Sequence, residues 1–312
     1  MEKVRFSVVV PSYKTDEETM KRTIESVLSQ KYKPFEIIIV DDNGGNEFTK
    51  INKKLAEKYH GKVKLVFYEK NMGANYARNT GIKNAKGDMI AFLDADDAWN
   101  EDYLERNAEL AIRKGAKFIS NSYYIVTQSG KYVFDRSDFK DGDVAKAILK
   151  RDFGGPTSSI VVDRDTLIKA GLFDEALPAR QDYDMWIRCA QLVPFYYINE
   201  PLMSIYRDGH ASISSSYVRN VKGTQMVLDK ILLTYTLTDD ERKDILFAQY
   251  SRMAMSSAHG GDFKNARKYT KQALKARFEK KAMFMYMVYS MPFVYNALRK
   301  IHHKQREKSG KN

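Results

Sequence analysis

The chain has 312 residues, of which 43% are hydrophobic and 29% charged, enough apolar material for a packed core and too much for a disordered chain. Its single cysteine, Cys189, excludes a disulfide framework and a cysteine-based zinc site, so metal chemistry would fall to carboxylates and the five histidines and favour Mg²⁺ or Mn²⁺. The net charge of +12 is uneven: residues 221–312 hold 19 basic and 8 acidic side chains, leaving +1 for the first 220, which excludes a uniformly basic nucleic-acid binder.

The N-terminus lacks a signal-peptide pattern. Its apolar run stops at Pro11, and Asp16, Glu17 and Glu18 follow, so a cytoplasmic location is expected. Phe6–Val10, Glu36–Val40, Val63–Phe67 and Met89–Leu93 are short, largely apolar runs that predict strands buried on both faces. Helical spacing over Glu17–Gln30, Glu47–Tyr59 and Ala74–Ala85 separates them. Strand–helix–strand alternation of this length predicts a parallel, doubly wound α/β sheet, with the functional loops along one edge. A helix over Glu101–Lys114, a strand over Lys117–Asn121, a hairpin near Ser129, a strand over Ser158–Val162 and a helix over Asp182–Leu192 follow.

From Val221 the chain turns helical and poor in Gly and Pro, and Tyr250–Leu274 has the spacing of one tetratricopeptide-like helix pair. One such repeat is too few for a solenoid. Residues 282–298 carry no charge, and Arg299, Lys300, Lys304, Arg306, Lys308 and Lys311 come after. That run is too short, and too interrupted by Pro292, to span a bilayer. Two readings stay open: contact with an anionic membrane surface, or a packed helix with a solvated basic tail.

Acidic residues follow the predicted strands: Asp41 and Asp42 after the second, and Asp94, Asp96 and Asp97 after the fourth. In a parallel sheet these segments converge where open α/β sheets bind ligands, and a divalent cation would offset their mutual repulsion. Taken singly, Asp96 or Asp97 would be read as a helix cap and Asp41–Asp42 as turn residues. Neither G-x-G-x-x-G nor G-x-x-x-x-G-K-[ST] occurs near the first strand, which weakens dinucleotide and P-loop readings.

Five motifs then occur in order: Val8-Val-Val-Pro-Ser-Tyr13, Ile38-Ile-Val-Asp-Asp42, Asn71-Met-Gly73 with Ala77-Arg-Asn-Thr-Gly-Ile82, Gly87 through Asp97, and Gln181-Asp-Tyr-Asp-Met-Trp186. Over about residues 5–215 the series resembles family 2 glycosyltransferases of the GT-A fold. The resemblance implies a GT-A domain over 1–218, with a mostly parallel doubly wound sheet, followed by a helical, basic region over 219–312. It implies inverting, Mn²⁺- or Mg²⁺-dependent transfer of a hexosyl or N-acetylhexosaminyl group. The donor would be a nucleotide diphosphate-sugar, UDP-linked by expectation, and the acceptor a hydroxyl of a glycan or lipid-linked molecule in bacterial surface polysaccharide synthesis. A protein peripheral on the inner face of the membrane is the matching location.

Carried over residue by residue, Pro11 and Tyr13 resemble the wall of the base pocket, and Asp42, with Asp41 beside it, the acceptor of a hydrogen bond from the base. Arg78 is placed to help with the nucleotide. Asp94-Ala95-Asp96 matches the DxD element that holds ribose and metal, with Asp97 as a neighbour able to share the task. Asp182 aligns with the catalytic base, and Gln181 replaces the family's usual Glu. Gly154–Ser159 and Gly171–Asp174 resemble the segments before that helix, and His210 lies in the loop after it, as a candidate to complete the metal shell. Two other readings remain: a degenerate GT-A domain acting as a scaffold, favoured only by Gln181, and a sugar nucleotidyltransferase, against which the missing Gly-rich basic loop counts.

Overall fold

The computed structural model describes residues 3–134, 141–207 and 216–299. The chain begins with β1 (Phe6–Ser12), α1 (Glu17–Leu28), β2 (Glu36–Asp41), α2 (Glu47–Lys58), β3 (Val63–Phe67), α3 (Ala74–Asn84) and β4 (Met89–Phe92). These strands pair in parallel in the order β3-β2-β1-β4. The β-branched runs explain the central three. Val8, Val9, Val10, Ile38, Ile39, Val40, Ile90 and Phe92 are fully buried, Val8, Val10 and Ile39 toward one helical layer and the other five toward the opposite one. β3 differs from the expectation: it has one neighbour, and its residues are half-buried or exposed. Local signals start the helices. Asp16 accepts from the Thr19 amide at 2.9 Å at the head of α1, and Asn46 from the Phe48 amide at 3.0 Å at the head of α2. Met20, Ile24 and Val27 then bury the inner stripe of α1, worth roughly 1.5–3 kcal/mol per side chain.

The second half adds β5 (Ala98–Trp99), α4 (Tyr103–Lys114), β6 (Phe118–Thr127), β7 (Gly130–Phe134), β8 (Val161–Asp163), α5 (Arg164–Lys169), α6 (Gln181–Ala190) and β9 (Phe195–Tyr206). The sheet continues past β4 as β8-β6-β9-β5, with β7 on β6. Here it is mixed: β8 runs antiparallel to β4 and β6, while β9 is parallel to β6. The expected strand at Ser158 starts only at Val161, because Thr157–Ser159 coil into a 3-10 turn. β9 has no counterpart among the sequence expectations. Asn199-Glu200-Pro201 interrupts it, and the ladder with β6 jumps from Asn121–Ile198 to Ser122–Pro201, bulging out Asn199 and Glu200.

Helices α7 (Tyr217–Thr234), α8 (Asp239–His259), α9 (Phe263–Ala276) and α10 (Lys280–Ser290), with a helical stretch over 292–299, close the described chain. Thr238 and Glu241 form a reciprocal capping box at the head of α8. Val227, Leu228 and Ile231 of α7 and Ile245 and Met253 of α8 join the core that contains Trp186, Phe173 and Phe92. The end of α8, α9 and α10 build a smaller cluster around Ala258, Ala266, Val288, Tyr289 and Tyr295. The helix pair expected over Tyr250–Leu274 is the α8–α9 hairpin. No described helix is long and apolar enough to cross a membrane.

Candidate active site at the carboxyl edge of the sheet

Near the end of β1 the half-buried Pro11 leads through Ser12 to Tyr13, which is 52% exposed at the sheet edge. Lys14, at φ 53°, turns the chain away, and its amide donates to Asn43 Oδ1 at 2.6 Å. After β2 the two neighbouring acids part. Asp41 is wholly buried, where Oδ1 accepts from the Asn43 amide and Thr49 Oγ1, and Oδ2 accepts from Asn52 Nδ2 at 2.6 Å. Asp42 accepts from the Met72 amide at 2.5 Å, the Gly73 amide at 2.8 Å and Asn71 Nδ2 at 2.9 Å. Gly73 caps α3 with no side chain of its own, so the Asp42 carboxylate anchors that helix start. Burial raises the Asp42 pKa, the two amides oppose the rise, and the Asp41 charge adds to it.

The run after β4 is held from three sides. The Asp94 amide donates to Ser158 Oγ at 3.0 Å, and Ser158 Oγ donates to Asp97 Oδ2 at 2.6 Å. Thr23 Oγ1 of α1 lies 2.9 and 2.8 Å from the carbonyl oxygens of Ala95 and Asp97, and Arg22 Nη2 donates to the Asp96 carbonyl at 2.9 Å. Asp97 is buried, and its carboxyl is driven well above the usual range by burial first and the Asp96 and Asp94 charges next. The expectation that Asp97 shares the work of the DxD pair is therefore corrected: it is locked behind the pair, on Ser158. Neither Asp96 nor Asp97 caps α4, whose N-cap is Asp102. Asp94 has a side chain 33% exposed and Asp96 is exposed. Two outward carboxylates suit a hard cation that takes its remaining ligands from substrate phosphates and water. Among the described residues no group of three or more His, Cys, Asp or Glu makes a complete metal cage. His210 lies outside the described residues.

Arg78 connects this run to the other side of the cleft. It is 7% exposed, and Nη2 donates to Asp94 Oδ1 at 2.7 Å. Its neighbour Asn79 exchanges two bonds with the Phe173 backbone, at 2.9 and 2.8 Å, tying α3 to the loop that precedes α6. Arg180, at φ 63°, is the N-cap of α6, and Asp182 is the second helical residue, half-buried, its Oδ1 accepting the Tyr183 amide at 2.8 Å. Asp182 is thus not the cap. Burial raises its pKa, Asp152 pushes it further, and Arg180, the Tyr183 amide and Arg78 pull the other way. Arg180 itself pairs with Asp152 at 3.3 Å. Gln181 Oε1, Arg180 Nε, Arg78 Nε and Trp186 Nε1 are buried with no hydrogen-bond partner among the described residues. Buried polar atoms without a protein partner call for water or ligand.

A model of the family described as Glycosyl transferase family 2 matches residues 7–171. The chain belongs to that family. It is 34% identical over 216 residues to the amylovoran biosynthesis glycosyltransferase AmsB of Erwinia amylovora, covering 66% of this chain and 71% of that protein. It is 30% identical over 220 residues to the E. coli UDP-Glc:α-D-GlcNAc-diphosphoundecaprenol β-1,3-glucosyltransferase WfgD, covering 69% and 82%. The crystal structure of S. aureus TarS 1-349 with UDP-GlcNAc superimposes with a TM-score of 0.67 at 17% identity, over 94% of this chain and 92% of that one, a likeness of fold. The family 2 chain is thus a glycosyltransferase with the GT-A fold.

Within that fold the described candidates Pro11, Tyr13, Asp42, Arg78, Asp94, Ala95, Asp96 and Asp182 sit at the carboxyl ends of β1, β2 and β4 and at the heads of α3 and α6, while Asp41 turns inward. Several supporting contacts carried no sequence signal. Asp184 is paired with Arg188 at 2.7 Å and Lys230 at 3.0 Å, and Lys230 also reaches Asp174 at 2.5 Å. Tyr183 donates its hydroxyl to the Ile148 carbonyl at 2.7 Å and accepts from Gln249 Nε2 at 3.0 Å. Gly223 lets α7 press on the Ala179 carbonyl, which an added Cβ would meet at 2.3 Å. α7 and α8 therefore grip the start of α6. Trp186 packs among Phe92, Phe118 and Phe173, and buried Cys189 lies one turn on, its thiol pushed up to about 12 by burial.

Proposed function

We propose that this glycosyltransferase moves a sugar from a UDP-sugar to a hydroxyl of a lipid-linked glycan, with inversion at the anomeric carbon, in assembly of a surface polysaccharide at the inner face of the membrane. The observation that carries the reading is Arg78. It is bonded to Asp94 and close enough to Asp182 to lower its pKa, so one cation joins the candidate donor site to the candidate base. The donor and acceptor classes are those in the printed name of the E. coli relative, and the TarS structure holds UDP-GlcNAc on the same fold.

In this reading Tyr13 and Pro11 bound the base, Asp42 accepts from it, and Asp41 holds Asp42 and its loop in place. Asp94 and Asp96 hold ribose and Mn²⁺ or Mg²⁺. When bound, that ion would supply positive charge to the diphosphate leaving group. The acceptor hydroxyl becomes strongly acidic as it bonds to the anomeric carbon, and Asp182 takes its proton. The raised pKa makes Asp182 a better base than an ordinary surface carboxylate, while Arg180 and Arg78 keep it ionised. Attack from the Asp182 side, opposite the leaving group, inverts the centre. Arg78 then faces the charge developing between the two sides.

The test is sugar transfer by Asp182→Asn with UDP-glucose or UDP-GlcNAc and a lipid-diphosphate acceptor. Loss of turnover with UDP affinity unchanged is expected. Turnover equal to wild type would remove Asp182 as the base, and nucleotide binding without transfer by the wild-type chain across donors would favour a scaffold.

A further inference from the structure

α10 packs on the α8–α9 hairpin through Val288 and Tyr289, which are buried with Ala258 and Ala266, and Ala282 is buried as well. Its opposite side is apolar and open. Met283, Phe284 and Met287 are 38%, 52% and 50% exposed and at 3.6 residues per turn fall within an arc of about 100°, and Met291, the C-cap that follows, is 41% exposed. Helical residues 292–299 continue the same character, with Phe293 74% exposed. No described helix packs on this side, and scattered single apolar residues would not make such a stripe.

The preceding helix supplies a complement. On α9, Lys264, Lys268, Lys271 and Lys275 are all exposed, at the four-three-four spacing that lines one side of a helix, while Ala266, Thr270 and Ala273 are buried on the other. Lys280 and Lys281, also exposed, begin α10. None of these six lysines has a carboxylate within ion-pair distance among the described residues. Residues 263–281 contain eight basic side chains and one acid, Glu279. By contrast, α8 begins with Asp239, Asp240 and Glu241, and Glu241 and Asp244 pair with Lys146 and Lys150 of the catalytic half. α9 and α10 thus place a line of unpaired lysines and an open apolar stripe on consecutive helices.

We infer that α9 and α10 form a docking surface for an anionic phospholipid bilayer, in which the Met283–Phe284–Met287–Met291 stripe enters the headgroup region and the α9 lysines meet lipid phosphates. The chemistry is that of an interfacial helix: apolar side chains of modest depth plus basic charge, with neither enough for a span. A second protein would ask for a mixed polar rim, whereas an apolar stripe on one helix and a line of unpaired lysines on the helix before it ask for apolar interior and negative charge together. The surface lies outside the catalytic cleft and rests on none of the residues assigned there. It would bring the cleft to the layer where a lipid-linked acceptor resides.

The test is co-sedimentation of the full chain with large vesicles of phosphatidylcholine alone and of phosphatidylcholine with one-third phosphatidylglycerol. Binding to the anionic vesicles is expected, falling about tenfold or more on neutral vesicles or at high salt. Phe284→Asp with Met287→Asp, and separately Lys268→Glu with Lys271→Glu, should each lower anionic-vesicle binding by about tenfold, with UDP affinity and far-UV circular dichroism unchanged. Absent vesicle binding by wild type, or equal binding by both double variants, would overturn the proposal. So would light scattering that shows a wild-type dimer dispersed by Phe284→Asp/Met287→Asp, since the stripe would then be a contact between copies of this chain. UDP affinity in every variant separates a failure of this surface from a failure of the catalytic reading.

Discussion

On the donor side of the cleft, Asp41, Asp42 and Asp97 place carboxylate oxygens on donors supplied by the protein: Asn52, the Met72 and Gly73 amides, and Ser158. On the acceptor side, Gln181 Oε1, Arg180 Nε and Trp186 Nε1 have no hydrogen-bond partner among the described residues, although they are buried around Asp182. On the donor side the buried carboxylates are bonded before substrate arrives, with Asp94 and Asp96 facing outward, although Asn52 Oδ1, Arg22 Nε and Arg78 Nε there also lack a partner among the described residues. The acceptor side keeps buried polar capacity in reserve, at a cost that a bound hydroxyl-bearing molecule can offset. Bonded carboxylates at the strand ends thus contrast with unpartnered polar atoms on α6 and at its head. Changes on the two sides should therefore fail differently.

The largest effect belongs to Asp182→Asn, which should lower turnover by about 10²- to 10⁴-fold, the usual contribution of a positioned base, in a steady-state transfer assay, with UDP affinity intact. Arg78→Met removes the charged link between the sides. Its turnover should fall by about 10²-fold, as for loss of one preorganised charge donor, and nucleotide affinity should fall as well because Asp94 loses its partner. An effect on affinity alone would sever the two sides and break the comparison. Gly154→Ala tests the packing behind the acceptor side. The new Cβ would meet Trp186 Cδ1 at 2.3 Å, an overpacking cost of about 1–3 kcal/mol readable as a lowered midpoint in denaturant.

The smallest change concerns pH. Burial and the Asp152 charge hold the Asp182 pKa up. A base works only when ionised, so kcat/KM should be lost as pH falls through that raised value, with an acid limb above the ordinary carboxylate range. Asp152→Asn removes the like charge and should move the acid limb to lower pH while leaving the rate near neutrality little changed. An unmoved limb would show that Asp152 does not act on the base.

How much of this was legible in the sequence depends on whether the signal is local. The apolar runs of β1, β2 and β4 are continuous because both faces of those strands are covered, and they stand out from the polar loops. β9 was hidden because its bulge at Asn199–Glu200 and the following Pro201 imitate a loop. The acids were found as residues but not as directions. Asp41 and Asp42 are neighbours at a strand end, where adjacent side chains turn to opposite sides, and only the fold shows that one serves the frame. Asp96 and Asp97 divide the same way. Asp152, Gly223, Lys230 and Gln249 come from distant segments, and no spacing rule connects them to Asp182. Gln181, the one departure from the family pattern, leaves its Oε1 unpartnered beside the base.

The account's central claim is that donor binding and proton abstraction lie on separate, differently prepared sides. Calorimetric titration of UDP, with and without Mn²⁺, into wild type, Asp96→Ala and Asp182→Asn tests it most directly. The account predicts metal-dependent binding to wild type, lost in Asp96→Ala and retained in Asp182→Asn. Binding that ignores the metal and survives Asp96→Ala, or that disappears with Asp182→Asn, would contradict it.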